Sequence, residues 1–178
     1  MRIYLVFMLL ALLVLVGCAK SGSQNVDIIE KLYAADPARQ MIGKELPSFS
    51  ITDLVTGRVV SSEDWKDRVI LINSLIIGCP SCLEEIPKLD QLHDKYGDRL
   101  VILELDINLE DTPEQVLKVK EQLNGRNYLW AISGETGKVL MIEGADWTYI
   151  IKNGVVVYAD SYVVPVQRLE NFVKEAFQ

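Results

Sequence analysis

The hydrophobic positions of this chain follow two patterns, and the patterns divide it. From Ile3 to Val16 the apolar residues run unbroken, without the period that would give an element one wet face. Beyond Gly43 they become periodic. Phe49-Ser50-Ile51 and Arg58-Val59-Val60, separated by Asp53 to Gly57, read as a hairpin. Val69 to Leu75 and Leu100 to Leu105 are apolar runs of strand length, the form of strands covered on both faces. Between these two, Leu83, Ile86, Leu89, Leu92 and Tyr96 recur at the spacing of a helix.

Thr112-Pro113-Glu114-Gln115 is a helix start: Thr caps, Pro occupies the first turn, and Gln lies three residues after the cap. That helix should stop near Asn124-Gly125. Tyr128 to Ile132 is a short strand candidate. Tyr149-Ile150-Ile151 and Val155 to Tyr158 flank Lys152-Asn153-Gly154, where Asn-Gly favours a tight hairpin turn. Pro165 opens a final amphipathic helix carrying Leu169, Phe172, Val173 and Phe177. The order is hairpin, β, α, β, α, short β, β-hairpin, α. Alternation of β and α predicts parallel strands with crossover helices, and the late hairpin adds an antiparallel edge. The expected fold is α/β, a mixed sheet between helices.

The leading run belongs to no such core. It holds 14 apolar residues after Arg2, whereas a permanent membrane helix takes about 20, so it reads as the core of an export signal rather than a retained anchor. Leu15-Val16-Gly17-Cys18 resembles the bacterial lipobox, in which the cysteine is acylated and becomes the new N-terminus. The expected organisation is therefore a signal peptide at 1–17, a lipidated tether with a short helix at 18–42, and the folded domain at 43–178. Acyl chains on Cys18 would hold the protein at a bacterial membrane surface, outside the cytoplasm, without spanning it. After cleavage the balance is 17 basic against 25 acidic residues, a net charge of −8. It offers no basic footprint for nucleic acid.

With Cys18 set aside, Cys79 and Cys82 are the remaining cysteines, too few for a disulfide scaffold. Disulfide exchange needs an attacking thiolate, a resolving thiol close by, and access for a partner. Cys79 stands where a strand meets a helix, and helix N-termini stabilise thiolates. Cys82 falls on the helix arc that holds Ile86, Leu89 and Tyr96, so it should face the interior and stay protonated. Half of a zinc site is the competing reading of Cys-x-x-Cys, but structural zinc takes four ligands and His93 is the chain's one histidine. His93 lies about 16 Å along the helix from Cys82 at roughly 1.5 Å per residue, so it is read as a packing residue. No metal and no cofactor are expected. An inert disulfide stays open as an alternative. Pro87, inside the helix, is assigned a role in its shape.

Val69-Ile70-Leu71-Ile72-Asn73 through Cys79-Pro80-Ser81-Cys82-Leu83-Glu84-Glu85-Ile86-Pro87-Lys88-Leu89 resembles the TlpA/ResA group of thioredoxin-like proteins, and Gly43 to Phe49 resembles the leading segment of the same group. The resemblance covers residues 43–177. It implies a thioredoxin-like mixed sheet with an N-terminal β-hairpin extension, and a membrane-tethered thiol–disulfide oxidoreductase in which Cys79 and Cys82 are the catalytic, redox-active pair. It further implies reduction of protein disulfides, as in cytochrome c maturation, with an upstream membrane electron donor and a monomeric protein.

Two departures stand out. The group usually has Trp before the first cysteine, where this chain has Gly78. An ungapped comparison with thioredoxin puts Asp146 where the group carries a cis-proline. Pro80, Ser81, Ala145 and Asp146 are the expected substrate contacts. A cis bond before a non-proline residue costs about 2.5–4 kcal/mol, so the peptide before Asp146 is expected to be trans. A carboxylate there would oppose thiolate formation at Cys79. Other readings stay open: a peroxidase, although Ile76 stands where those enzymes carry Thr; a copper-chaperone-like assembly factor; and a non-catalytic binding lipoprotein.

Overall fold

The strand that leads into the dithiol is the centre of the sheet. The computed structural model describes residues 35–178, and the expected signal peptide, Cys18 and most of the tether lie outside them. Residues 37–178 form one compact unit. Its five-stranded sheet has the order β5-β4-β3-β6-β7. The strands are β3 (Val69–Leu75), β4 (Leu100–Asp106), β5 (Leu129–Ile132), β6 (Thr148–Lys152) and β7 (Val155–Asp160). β4 runs parallel to β3 and to β5, while β6 runs antiparallel to β3 and to β7. β1 (Ser50–Thr52) and β2 (Val59–Ser61) form a separate antiparallel hairpin. This is the expected mixed α/β architecture, with the hairpin placed one residue later than the sequence predicts.

Every residue of β3 and of β4 is buried, because apolar layers cover both faces of the sheet. Alternation sends Val69, Leu71 and Leu75 to one layer with Ile86, Leu89, Leu169 and Val173, and sends Ile70 and Ile72 to the other with Phe49, Trp65, Trp147 and Tyr149. The first layer is closed by α1 (Pro80–Tyr96) and α4 (Val166–Ala176). α2 (Pro113–Gln122) starts with the expected Thr112 capping box. The β6–β7 turn takes Asn153 and Gly154 at φ of 52° and 78°, the left-handed pair that a tight hairpin of right-twisted strands requires.

Two features depart from the sequence-based expectation. The compact unit starts at Pro37 rather than Gly43, because a 3₁₀ turn (Pro37–Met41) buries Ala38 and Met41 in the second layer. A single turn is too short to show a period. α3 (Gly134–Val139) is an additional helix, and its six residues Gly-Glu-Thr-Gly-Lys-Val carry no apolar stripe that would announce it. Among the described residues no helix is long and apolar enough to cross a membrane.

Candidate active site

Cys79 is the N-cap of α1, with Pro80 at the first helical position. The turn that delivers it passes through Gly78 at φ 86°, a left-handed conformation that side chains rarely tolerate. The missing flanking tryptophan is thereby explained: a residue with a Cβ would be strained at 78. The Cys79 N–H donates to the Ile76 carbonyl at 3.1 Å, and the Cys82 N–H donates to Cys79 Sγ at 3.4 Å. Cys79 is half-buried, Cys82 is fully buried beside Ile86 and Leu89, and both are free thiols.

These environments separate the two thiols. Burial pushes the Cys79 thiol up, but hydrogen bonds from the Cys82 and Ser81 side chains and from the Cys82 N–H outweigh it. Its pKa ends below the ordinary cysteine value. Burial pushes the Cys82 thiol well up, and Cys79 and Asp146 add to the effect. Cys79 is the group able to ionise first.

Ala145 and Asp146 reach the dithiol from the loop before β6. Asp146 adopts φ 62°, and no cis peptide occurs among the described residues, so its preceding bond is trans. Its N–H donates to the Ser74 carbonyl at 3.0 Å, and the Trp147 N–H donates to Ser74 Oγ at 3.0 Å. Ser74 Oγ in turn donates to the Gly144 carbonyl at 2.8 Å. One serine of β3 thus fixes the whole turn. Ser81 Oγ donates to Asp146 Oδ2 at 2.6 Å and lies 3.1 Å from Cys79 Sγ. Ser81 has a single hydroxyl proton, for which the carboxylate, at the shorter distance, competes with the Cys79 sulfur. Pro80 is exposed, and Ala145 packs half-buried on the layer that holds Cys82.

That single proton makes Asp146 a tuning group for the nucleophile. Asp146→Asn removes the charge that opposes the Cys79 thiolate and frees the Ser81 hydroxyl to turn toward sulfur. Asn tolerates the left-handed backbone as Asp does. The Cys79 pKa is expected to fall, and attack on a small disulfide at neutral pH to quicken about two- to fivefold. Thiolate ultraviolet absorbance against pH checks it; an unmoved titration would show that Asp146 does not tune the thiol.

Sequence reasoning missed two buried acids nearby. Glu85 is buried on α1, where its Oε1 accepts from Lys88 Nζ at 2.6 Å, and Lys88 also donates to the Val164 carbonyl at 3.1 Å. Burial raises the Glu85 carboxyl despite that ion pair. Glu104 is fully buried in β4, paired in register with Asn73 of β3, itself paired with Thr148 of β6. Its position inside the apolar run Leu100 to Leu105 was the signal available. His93 packs edge-on against Tyr128 at 5.8 Å, as a packing residue would. Two surface clefts among the described residues, one beside Asp67, Arg99 and Lys152 and the other beside Trp65, His93 and Tyr128, are lined by none of the dithiol residues.

Residues 41–173 match the redoxin family. The chain belongs to that family. Among curated proteins, this redoxin-family chain is similar to thiol-disulfide oxidoreductase ResA of Bacillus thuringiensis (strain Al Hakam), with 27% identity over 137 residues, 77% of this chain and 73% of the relative. It is also 35% identical over 75 residues to a ResA of Bacillus cereus, covering 42% of this chain and 43% of that one. Among solved structures it resembles a thiol:disulfide interchange protein of Chlorobium tepidum TLS, with TM-score 0.68, 19% identity, and coverage of 76% and 97%. StoA of Bacillus subtilis shares the fold at TM-score 0.60 and 14% identity, with coverage of 71% and 96%. Family, relatives and fold together make this redoxin-family chain a thioredoxin-fold oxidoreductase of the TlpA/ResA kind.

Proposed function

We propose that this thiol–disulfide oxidoreductase is a lipid-anchored, extracytoplasmic reductant of protein disulfides, with Cys79 attacking and Cys82 resolving. The observation that carries the assignment is the contrast between a half-exposed Cys79, capping a helix and accepting an N–H, and a Cys82 sealed in the core. In the reduced protein the Cys79 thiolate attacks one sulfur of a substrate disulfide. The other substrate sulfur leaves as a thiolate and takes a proton from solvent. Cys82 then loses its proton and attacks Cys79 Sγ, releasing the second substrate thiol. Two electrons pass to the substrate and an intramolecular disulfide forms. An upstream membrane dithiol donor would restore the pair.

The substrates are read as protein disulfides, of the kind handled in cytochrome c maturation. The dithiol stands at a half-exposed helix end rather than in an enclosed pocket, which supports a protein partner over a small molecule. The lipobox at Cys18 supports the anchor. The deciding measurement is the reduction potential of the Cys79–Cys82 couple. A reductant should lie at about −200 to −270 mV, and a value near about −120 mV would make the protein an oxidant instead. Cys18→Ser is expected to move the protein from the membrane fraction to the soluble one.

A further inference from the structure

We propose that the reduced dithiol and Asp146 form a site for a thiophilic divalent cation of the Zn²⁺ type, with Cys79 Sγ, Cys82 Sγ and an Asp146 carboxylate oxygen as its three protein ligands. The sulfurs and a carboxylate oxygen lie within 4.8 Å of one another, close enough for a cation to draw them together at zinc–sulfur and zinc–oxygen distances of about 2.0–2.3 Å. A count of histidines and cysteines alone sets zinc aside. Asp146 supplies the third ligand from another segment of the chain.

The carboxylate offers an atom with nothing to do. Asp146 Oδ2 accepts from Ser81, whereas Oδ1 is buried and has no hydrogen-bond partner. Among the described residues no ion pair reaches Asp146. A buried, unpaired acceptor is costly, and a cation between it and the sulfurs would satisfy it. The ligands are also held in place. Ser74 of β3 fixes the Asp146 backbone and its neighbour Trp147, and the same strand leads into Cys79. Ser81 and the Cys82 N–H already bond Asp146 Oδ2 and Cys79 Sγ, as the outer partners of metal ligands do.

Three protein ligands leave the fourth tetrahedral position to water, on the side where Cys79 is half-exposed and a cation can enter. Binding exchanges two S–H bonds for two metal–sulfur bonds and releases two protons to solvent. No electron moves, because Zn²⁺ has no accessible redox change. A bound cation would occupy both sulfurs and silence exchange, so the site would act as a reversible cap on the reductant. Proline at 146 would offer no such ligand.

The test is titration of the reduced, metal-free protein with Co²⁺, followed by Zn²⁺ displacement. One equivalent of Co²⁺ should give thiolate charge-transfer bands and four-coordinate ligand-field bands, lost in Cys79→Ser and in Cys82→Ser. Asp146→Asn and Asp146→Gly both suit the left-handed backbone, so neither should unfold the turn. Each should weaken affinity at least about tenfold, the lower end of what losing even an outer-shell partner costs. A smaller loss would mean chelation by the dithiol alone and would overturn the site, as would weak binding of several equivalents. Disulfide exchange is assayed in parallel with chelator present, so failure of the proposed redox function and failure of the cation site are read separately.

Discussion

Cys82→Ser is expected to hold a protein substrate as a stable mixed disulfide, and Cys79→Ser to hold none. The two sulfurs are close neighbours in sequence, but the fold gives them opposite surroundings. Cys79 caps α1, is half-exposed, and has its thiol held below the ordinary value. It can therefore attack at neutral pH. Cys82 is fully buried, and its thiol is pushed well up, so it can act only after a mixed disulfide has formed beside it. Losing either sulfur should cut multiple-turnover exchange below about one thousandth of the parent rate, which is about 4 kcal/mol of barrier. The covalent adduct separates the roles. Non-reducing electrophoresis or mass spectrometry with a disulfide-bonded protein should find it in Cys82→Ser alone, and an adduct in Cys79→Ser would reverse the assignment. Serine is near in size to cysteine, so both variants should keep the fold.

The parts of the fold that were legible in the sequence are those whose burial leaves a period or a punctuation mark. β3 and β4 are buried throughout and, apart from Asn73, Ser74, Glu104 and Asp106, apolar, because both faces are covered, α1 shows its stripe, and Thr112 and Asn153-Gly154 mark a cap and a turn. The Pro37–Met41 turn and α3 were not legible, being too short to repeat anything. The dithiol was legible because the attacking and resolving thiols are local to one turn. Its surroundings were legible only through resemblance, and then only as departures. Nothing local to Gly78 announces the left-handed turn that excludes a tryptophan. Nothing near Asp146 names Ser81, its hydrogen-bond partner 65 residues away in the chain. Contacts of that range are set by the sheet order, in which β6 lies beside β3, and no single segment encodes that order.

The same sheet order builds a polar row through the core, and that row should govern stability against pH. Thr148 Oγ1 donates to Asn73 Oδ1 at 2.9 Å, and Asn73 Nδ2 donates to Glu104 Oε1 at 3.0 Å. Glu104 Oε2 is buried without a partner. Burial holds the Glu104 carboxyl well above the usual carboxylate range, the Asn73 bond opposes that, and the nearby carboxylates of Glu85, Asp106 and Asp146 reinforce it. The folded protein therefore keeps a proton at Glu104 that the unfolded chain gives up near its ordinary pKa. Between those two pKa values the native state binds more protons than the unfolded one, so stability is full at low pH and falls as pH rises. One such proton sets a slope of up to about 1.4 kcal/mol per pH unit. Asp106, raised by burial to about 7, acts in the same sense up to neutrality. Glu104→Gln cannot ionise, and its carbonyl can keep the bond from Asn73. Urea unfolding from pH 5 to 9 should show the parent losing stability along that slope, while the variant loses less and overtakes it at the alkaline end. Because every other titrating group is common to both proteins, parallel curves would mean that Glu104 is not held protonated in the native core.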